Sequence, residues 1–261
     1  MEYLIICTVA VAVSALTFFS GFGLGTMLMP AFALFFPVPV AVAATAVVHL
    51  ANNIFKVALI GRQAKWPVVW RFAAPATVTA MIGTASLTFF DRFLPLETYH
   101  LGGRTHEITV LKLVIGTIII IFALFDLLPK LSKLSFDRKY LPLGGALSGF
   151  FGGLSGNQGA LRSAFLIKLG LDKEAFVGTG VVAAIIVDIA RLLVYGAAFY
   201  AARFEMLNSN ITGMVVAAML AAFVGAFIGR RLLKNVTLRS VQLIVGALLI
   251  LVGVGMGTGL F

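Results

Sequence analysis

Residues 149–159 read Gly-Phe-Phe-Gly-Gly-Leu-Ser-Gly-Asn-Gln-Gly and lie inside an apolar stretch that extends from about residue 140 to 169. Glycines and polar residues at mid-stretch interrupt a helix that could otherwise cross a bilayer. An interrupted backbone exposes N–H and C=O groups that hydrocarbon cannot satisfy, so such a break must face protein or a water-filled cavity. A second stretch, residues 3–36, is broken at Gly-Phe-Gly-Leu-Gly over 21–25. These breaks indicate a functional region inside a membrane.

The composition leads to the same class of protein. Of 261 residues, 61% are hydrophobic and 11% are charged, and the mean hydropathy is +1.06. Soluble domains carry roughly a quarter charged residues, which excludes a water-soluble fold. The net charge of +10 lies in short loops, so we expect a lipid bilayer and no nucleic acid as partner. The single cysteine, Cys7, excludes an internal disulfide and a cysteine zinc site, and we expect no metal or cofactor.

Apolar runs long enough to cross a bilayer predict an all-α polytopic membrane protein. The uninterrupted runs are residues 38–61, 66–90, 109–129, 173–200, 209–233 and 238–260. With the two broken stretches they make eight apolar segments. No signal-peptide cleavage site follows the first run, so we expect that run to remain in the mature protein.

Loop charges predict the orientation, since Lys and Arg in short loops mark the cytoplasmic side. Three loops are strongly basic: Arg62, Lys65 and Arg71; Lys130, Lys133, Arg138 and Lys139; Arg230, Arg231, Lys234 and Arg239. Segments 91–107 and 201–208 are less basic and are assigned to the outside. The stretch 140–169 must then enter and leave on one side, as a re-entrant hairpin. If 3–36 is also a hairpin, both termini lie outside the bacterial inner membrane; the alternative is eight simple spans with the N-terminus inside.

The two halves of the chain resemble each other. The two glycine-rich breaks correspond, and a shift of 135 residues aligns Asn53 with Asp188, Lys56 with Arg191 and Gly61 with Gly196. A hairpin plus three spans is an odd number of crossings, so the second copy is inverted relative to the first. We therefore predict inverted repeats over 1–129 and 130–261 that together form one transporter domain.

Polar residues recur on one face of the predicted helix 38–61. They are Thr45, His49, Asn52, Asn53 and Lys56. A lysine at the centre of a membrane helix costs about 2.5 to 3.5 kcal/mol, so this stripe must face protein or water. In the second copy, Asp188 and Arg191 are one turn apart and can pair. Three structural roles remain open: an internal salt bridge for Asp188 and Arg191, a core position for His49, and a Lys56 side chain that reaches the interface.

The breaks also predict anion-binding backbone, because a helix that starts after a break has free N–H groups and a positive dipole end. In the second copy, Ser155, Gly156, Asn157 and Gln158 precede a helix predicted near Ala160, with Arg162 in its first turn. In the first copy, Gly23, Gly25 and Thr26 precede one predicted near Met27. The alternative role for the glycines is close helix packing.

The order of these motifs resembles the TauE/SafE family of sulfite and organosulfonate exporters. The resemblance covers essentially the whole chain. It rests on the two glycine-rich copies, on Pro37-Val38-Pro39 with Ala44-Thr45, and on Gly170-Leu171-Asp172 with Val177-Gly178-Thr179-Gly180. The second copy departs from the usual family proline by reading Asn157-Gln158-Gly159. The resemblance implies outward transport of a small sulfur oxyanion or sulfonate.

The predicted function is a secondary transporter that exports a small anion by alternating access, with His49 and Asp188 as the proton-coupling pair. The predicted substrate-binding residues are Gly23, Gly25, Thr26, Asn52, Asn53, Lys56, Ser155, Gly156, Asn157, Gln158, Arg162 and Arg191. One alternative is an anion channel. Another is a rhomboid-like serine hydrolase that uses Ser155, but His49 precedes this serine, which is the wrong order, and the other histidines lie in an outside loop.

Overall fold

The computed structural model describes residues 1–16, 18, 24–60, 63–128, 130, 135–202, 209–232 and 238–260. The first half of the chain contains α1 (Glu2–Leu16), α2 (Leu24–Ala33), α3 (Val38–Ile60), α4 (Trp66–Phe90), β1 (Glu97–Leu101), β2 (Arg104–Ile108) and α5 (Val110–Leu127). The second half contains α6 (Leu141–Ser155), α7 (Gly159–Leu166), α8 (Lys173–Ala202), α9 (Ser209–Leu232) and α10 (Leu238–Gly257). Short 3-10 turns precede α6 and follow α7.

The predicted helices and breaks are found within a few residues of their expected bounds. The uninterrupted runs form α3, α4, α5, α8, α9 and α10, and the broken stretches form the pairs α1 with α2 and α6 with α7. One predicted start is wrong, because α2 begins at Leu24 and places Gly25 and Thr26 in its first turn. All of α2 is buried, so packing rather than intrinsic helix propensity sets its start. Gly23 lies outside the described residues.

The distribution of polarity is that of a membrane protein. Within the described residues, four helices are long and apolar enough to cross a membrane: Val38–Ala58, Trp66–Phe90, Lys173–Ala197 and Ile211–Arg231. Val216, Leu220, Val224 and Phe227 are exposed along one face of α9. Buried inside the bundle are His49, Asn52, Asn53, Lys56, Asp188 and Arg191. Apolar side chains outside and polar ones inside are what a lipid environment requires, so the chain is a multi-pass, mainly helical membrane protein.

A short β-hairpin adds to the predicted all-α fold. Strands β1 and β2 pair antiparallel across Gly102 and Gly103, whose φ angles are +59° and +75°. Paired positive φ angles suit a tight hairpin turn, and glycine adopts them without strain. The Tyr99 hydroxyl donates to the Thr258 carbonyl at 2.6 Å, which attaches the hairpin to the end of α10. Sequence reasoning treated this segment as a simple loop.

Glycines of α6 form a close seam with α4. A Cβ atom on Gly145, Gly149 or Gly153 would lie 2.0 to 2.1 Å from a backbone carbonyl oxygen of α4. The spacing of four residues places these glycines on one face of α6. Small residues let two membrane helices approach this closely, so the packing role left open by the sequence applies to these glycines.

Helices α6 and α7 form a hairpin. Gly156 ends α6 with a φ of +79°, a left-handed conformation that favours glycine. Phe165, near the end of α7, lies against Gly144 near the start of α6, and its ring stacks on Phe136 at a centroid distance of 4.2 Å. The chain therefore returns alongside α6 after the break.

The helix contacts of the two halves follow one pattern, in which each helix of the first half corresponds to the helix five places later. Each contact in the first half has an equivalent in the second. The contact of α1 with α2 corresponds to that of α6 with α7, and the contact of α2 with α3 corresponds to that of α7 with α8. In the same way α1 with α9 corresponds to α6 with α4, α3 with α9 to α8 with α4, and α2 with α10 to α7 with α5. Helix α3 packs on α8 and α5 packs on α10, so corresponding helices also contact each other. Eight of the 16 buried polar residues that the structure describes lie on α3 and α8.

Candidate functional site

The buried Lys, Arg, His and Asp residues of the described chain lie together at the centre of the helix bundle. They are His49 and Lys56 on α3, Arg162 on α7, and Asp188 and Arg191 on α8. Asp188 and Arg191 have no exposed surface. Both fall near the middle of the 30-residue helix α8. Two arginines, a lysine and a histidine thus share the interior with one carboxylate.

Asp188 is the acceptor at the centre of this cluster. Its Oδ2 atom lies 2.6 Å from His49 Nδ1 and accepts from Asn53 Nδ2 at 3.3 Å. Its Oδ1 atom accepts from Gln158 Nε2 at 2.9 Å and lies 2.8 Å from Arg191 Nη2. Such contacts stabilise a buried carboxylate by charge-assisted hydrogen bonding. The predicted pairing of Asp188 with Arg191 is therefore present, and His49 joins the same pair.

Arg191 also supports the end of α6. Its Nη1 atom donates to the Gly152 carbonyl at 3.0 Å, and the Tyr195 hydroxyl donates to the Gly153 carbonyl at 2.7 Å. The last carbonyls of a helix lack partners within it and carry the negative end of the dipole. Arg191 is thus held between a carboxylate and a helix end. Direct contact between Arg191 and an anion stays a prediction.

Lys56 has different surroundings from Arg191. Its side chain is 4% exposed, and its Nζ lies 5.4 Å from the centre of the Phe18 ring. The neighbouring charge that acts on Lys56 is that of Arg162, which repels the ammonium group. Within the described chain, no carboxylate forms an ion pair with Lys56. Burying this ammonium group beside a second cation is costly, and a bound anion would offset part of that cost.

The two helix breaks meet beside this cluster. The side chains of Thr26 and Asn157 are in hydrogen-bonding contact through Asn157 Oδ1. A Cβ atom on Gly25 would lie 3.0 Å from the Gly156 carbonyl oxygen, so the two backbones are nearly in contact. Among the described atoms, the buried amide nitrogen Nδ2 of Asn157 has no hydrogen-bond partner. Buried polar groups are normally paired, so this donor is free for a ligand or water.

The comparison with protein families bears on this arrangement. The family model described as "Sulfite exporter TauE/SafE" matches residues 6–256. The chain belongs to the TauE/SafE family. No curated protein matches the chain. TauE/SafE proteins are membrane transporters of the sulfite and organosulfonate type, so the chain is a transporter and not an enzyme.

The serine hydrolase alternative is wrong for a TauE/SafE protein. The Ser155 hydroxyl donates to the Phe151 carbonyl at 2.9 Å, within its own helix. His49 Nδ1 lies 2.6 Å from Asp188 Oδ2 instead. A serine nucleophile requires a base within hydrogen-bond reach, and the contacts of His49 point to a different role.

Several buried polar contacts of this TauE/SafE chain were missed by sequence reasoning. Tyr195 holds the end of α6, Ser148 donates to the Gln158 carbonyl at 2.7 Å, and Ser14 donates to Asn52 at 3.3 Å. Tyr195 lies four residues after Arg191 on α8, so helical spacing from Asp188 could have found it. No sequence signal marks Ser14 or Ser148, because their partners lie on other segments.

Proposed function

We propose that this transporter exports a small sulfur oxyanion, sulfite or an organosulfonate, across the bacterial inner membrane by alternating access. The observation that carries the proposal is buried Lys56, which has Arg162 and no described carboxylate as its ionic neighbour. An anion that leaves water needs fixed positive charge of this kind. A helix end supplies only about half a unit of charge, so at least one side-chain cation is required as well.

The helix breaks support an anion site at the same place. Helix α7 begins at Gly159 directly after Asn157 and Gln158, and Arg162 lies in its first turn. The free Nδ2 atom of Asn157 adds a hydrogen-bond donor. Gln158 donates to Asp188, so its role is to join the anion site to the carboxylate. Gly23, Ser155, Gly156 and the asparagines of α3 remain predicted members of the site.

The repeated contact pattern supports two inverted repeats, 1–129 and 130–261, related by a two-fold axis in the membrane plane. Residues related by such an axis touch only where the axis passes between them. Asn53 contacts Asp188, its equivalent after a shift of 135 residues. Gly25 faces Gly156 at the corresponding break. The axis therefore runs through the polar cluster, the position of substrate sites in many inverted-repeat transporters.

The residue one turn before Lys56 differs in charge from the residue one turn before Arg191, and this difference favours Lys56 as the anion ligand. In the second copy, Arg191 has Asp188 one turn earlier and pairs with it at 2.8 Å. In the first copy, Asn53 occupies the position of that acid, so Lys56 has no carboxylate partner among the described residues. A cation that has no anionic partner and lies close to a two-fold axis can bind an anion whichever side of the membrane the site is open to.

The proposed orientation places the basic loops in the cytoplasm and both termini outside. The fold of α7 back along α6 favours a re-entrant hairpin over a broken spanning helix. A hairpin in each repeat accounts for the odd number of crossings per repeat. In this proposed arrangement the two hairpins enter from opposite sides of the membrane, and their breaks meet in the middle of the bundle.

His49 and Asp188 form the proposed proton-coupling pair. They are joined by a 2.6 Å contact, and Gln158 links Asp188 to the break beside the anion site. Histidine is the side chain whose charge changes most readily between about pH 5 and 8. A proton taken up by this pair would change the charge opposite Lys56 and Arg162, which couples proton and anion movement.

The experiment that tests the proposal is sulfite transport by Lys56→Gln in proteoliposomes. We expect transport to be lost while the protein stays folded, because glutamine keeps the length of the side chain but not its charge. Lys139→Gln is the matched control, since it removes an exposed lysine next to Tyr140. Wild-type transport by Lys56→Gln would contradict the proposal.

A further inference from the structure

A basic cavity opens at the end of the bundle that carries the basic loops. Its volume is about 340 Å³. Three basic side chains, Lys65, Arg138 and Lys168, line it, and Val68, Leu169 and Leu171 form apolar parts of the wall. These residues come from the start of α4, the turn before α6 and the segment after α7. Segments far apart in the sequence thus bring three cations to one concave surface.

All the charged residues that line this cavity are basic, since none of its lining residues is acidic. Asp137 directly precedes Arg138 in the chain, and its carboxylate accepts a hydrogen bond from Lys168 Nζ at 2.7 Å. That hydrogen bond holds the pKa of Asp137 below its usual range, so the acid stays ionised and neutralises one cation at most. Lys65 and Arg138 remain to attract an anion. A concave surface of one charge sign raises the local concentration of counter-ions.

The cavity is connected to the buried cluster through two adjacent residues of α8. The backbone N–H of Lys65 donates to the Thr179 hydroxyl at 2.9 Å. On the next residue, Gly180, an added Cβ would lie 3.4 Å from Arg162 Nε. Arg162 in turn acts on Lys56. Lys168 follows Arg162 by six residues on the same segment, about 9 Å along a helix. A series of basic side chains therefore extends from the protein surface to the buried cluster at the centre of the bundle.

The geometry points to a second oxyanion-binding site in this cavity, with Lys65 and Arg138 as its ligands. The group that it binds is a sulfite, sulfonate or phosphate group, carried either by the soluble substrate or by an anionic lipid. With soluble substrate, which rests on the proposed export function, the cavity captures the anion before Arg162 and Lys56 receive it. With lipid, the headgroup phosphate occupies the cavity from the membrane surface.

The test compares the double variant Lys65→Gln/Arg138→Gln with Arg71→Gln/Lys139→Gln, in which two exposed basic residues outside the cavity are replaced. Both variants lose the same charge. In proteoliposomes of neutral lipid at about 0.01 M salt, where screening is weak, a substrate site predicts an apparent KM for sulfite raised about tenfold with the maximal rate unchanged. The difference should disappear at about 1 M salt, where the screening length is about 3 Å.

A parallel measurement identifies a lipid source. Native mass spectrometry of protein in nanodiscs that contain phosphatidylglycerol should show a retained anionic lipid, which only the cavity variant loses. Either result supports the oxyanion site, and equal behaviour of both double variants in both assays would overturn it. Lys56→Gln is included in the transport assay at both salt concentrations, because its loss of transport should persist at about 1 M salt and therefore tests the central site separately.

Discussion

Replacement of Asp188 by Asn should destabilise the protein strongly, because it removes the only described carboxylate beside Arg191. The amide has the size of the carboxylate but cannot neutralise the guanidinium, whose Nη2 lies 2.8 Å from Oδ1. Breaking one partner of a buried pair costs about 3 to 5 kcal/mol. We expect a clearly lower unfolding midpoint for the purified protein in detergent.

The double variant Asp188→Asn/Arg191→Gln separates this charge effect from a general loss of packing. It removes both charges, so its cost should be lower than the sum of the single variants, by up to about 3 kcal/mol. Asp137→Asn is the matched control, since its ion pair with Lys168 has a similar 2.7 Å distance but lies at the surface. We expect no measurable shift for that control. Additive effects of the two buried substitutions would refute the reasoning.

Transport by the same Asp188→Asn protein tests proton coupling. We expect sulfite binding to remain, while the rate becomes independent of pH between about pH 5 and 8, because His49 loses its anionic partner. Proteoliposomes with imposed pH gradients provide the measurement. A variant that folds and keeps the wild-type pH profile would assign the His49 and Asp188 contact a purely structural role.

Three further predictions follow from the packing, the topology and the break. Gly153→Ala should cost about 1 to 3 kcal/mol in unfolding free energy, because its Cβ would meet the Ala80 carbonyl at 2.1 Å, whereas Gly196→Ala, with open space around it, should not destabilise. A reporter that is active only in the cytoplasm should be silent at the C-terminus; activity there would reverse the proposed orientation. Asn157→Ala should weaken anion binding without unfolding the protein. Unchanged affinity for the anion would show that the break between α6 and α7 contributes to helix packing and not to anion binding.

The fold was largely predictable because hydrocarbon imposes simple rules. Apolar runs of fixed length gave the helices, and glycine clusters such as 149–159 gave the breaks. The start of α2 was wrong because burial of the whole helix outweighs the local preference of Gly25. The β-hairpin was missed although Gly102 and Gly103 are a strong turn signal, because the surrounding residues were assigned as a loop from their charge alone.

The candidate site was predictable where residues share a helix and not where they meet across helices. The stripe of α3 and the spacing of Asp188 and Arg191 follow from helical periodicity. The contact of His49 with Asp188 joins positions 139 residues apart, and that of Ser14 with the Ala222 carbonyl joins positions 208 apart. A single sequence does not encode such pairings directly. The support that Arg191 gives to the end of α6 was missed for the same reason.

Equilibrium binding of sulfite to wild type, Lys56→Gln and Lys56→Arg tests the central claim most directly. Isothermal titration calorimetry on purified protein measures binding without the transport cycle. A hydrogen bond to a charged group contributes about 1.5 to 3 kcal/mol, so Lys56→Gln should raise the Kd about 10- to 150-fold, and Lys56→Arg should retain most of the affinity. Equal Kd values for wild type and Lys56→Gln, with both proteins folded, would contradict the assignment of Lys56 as the anion ligand.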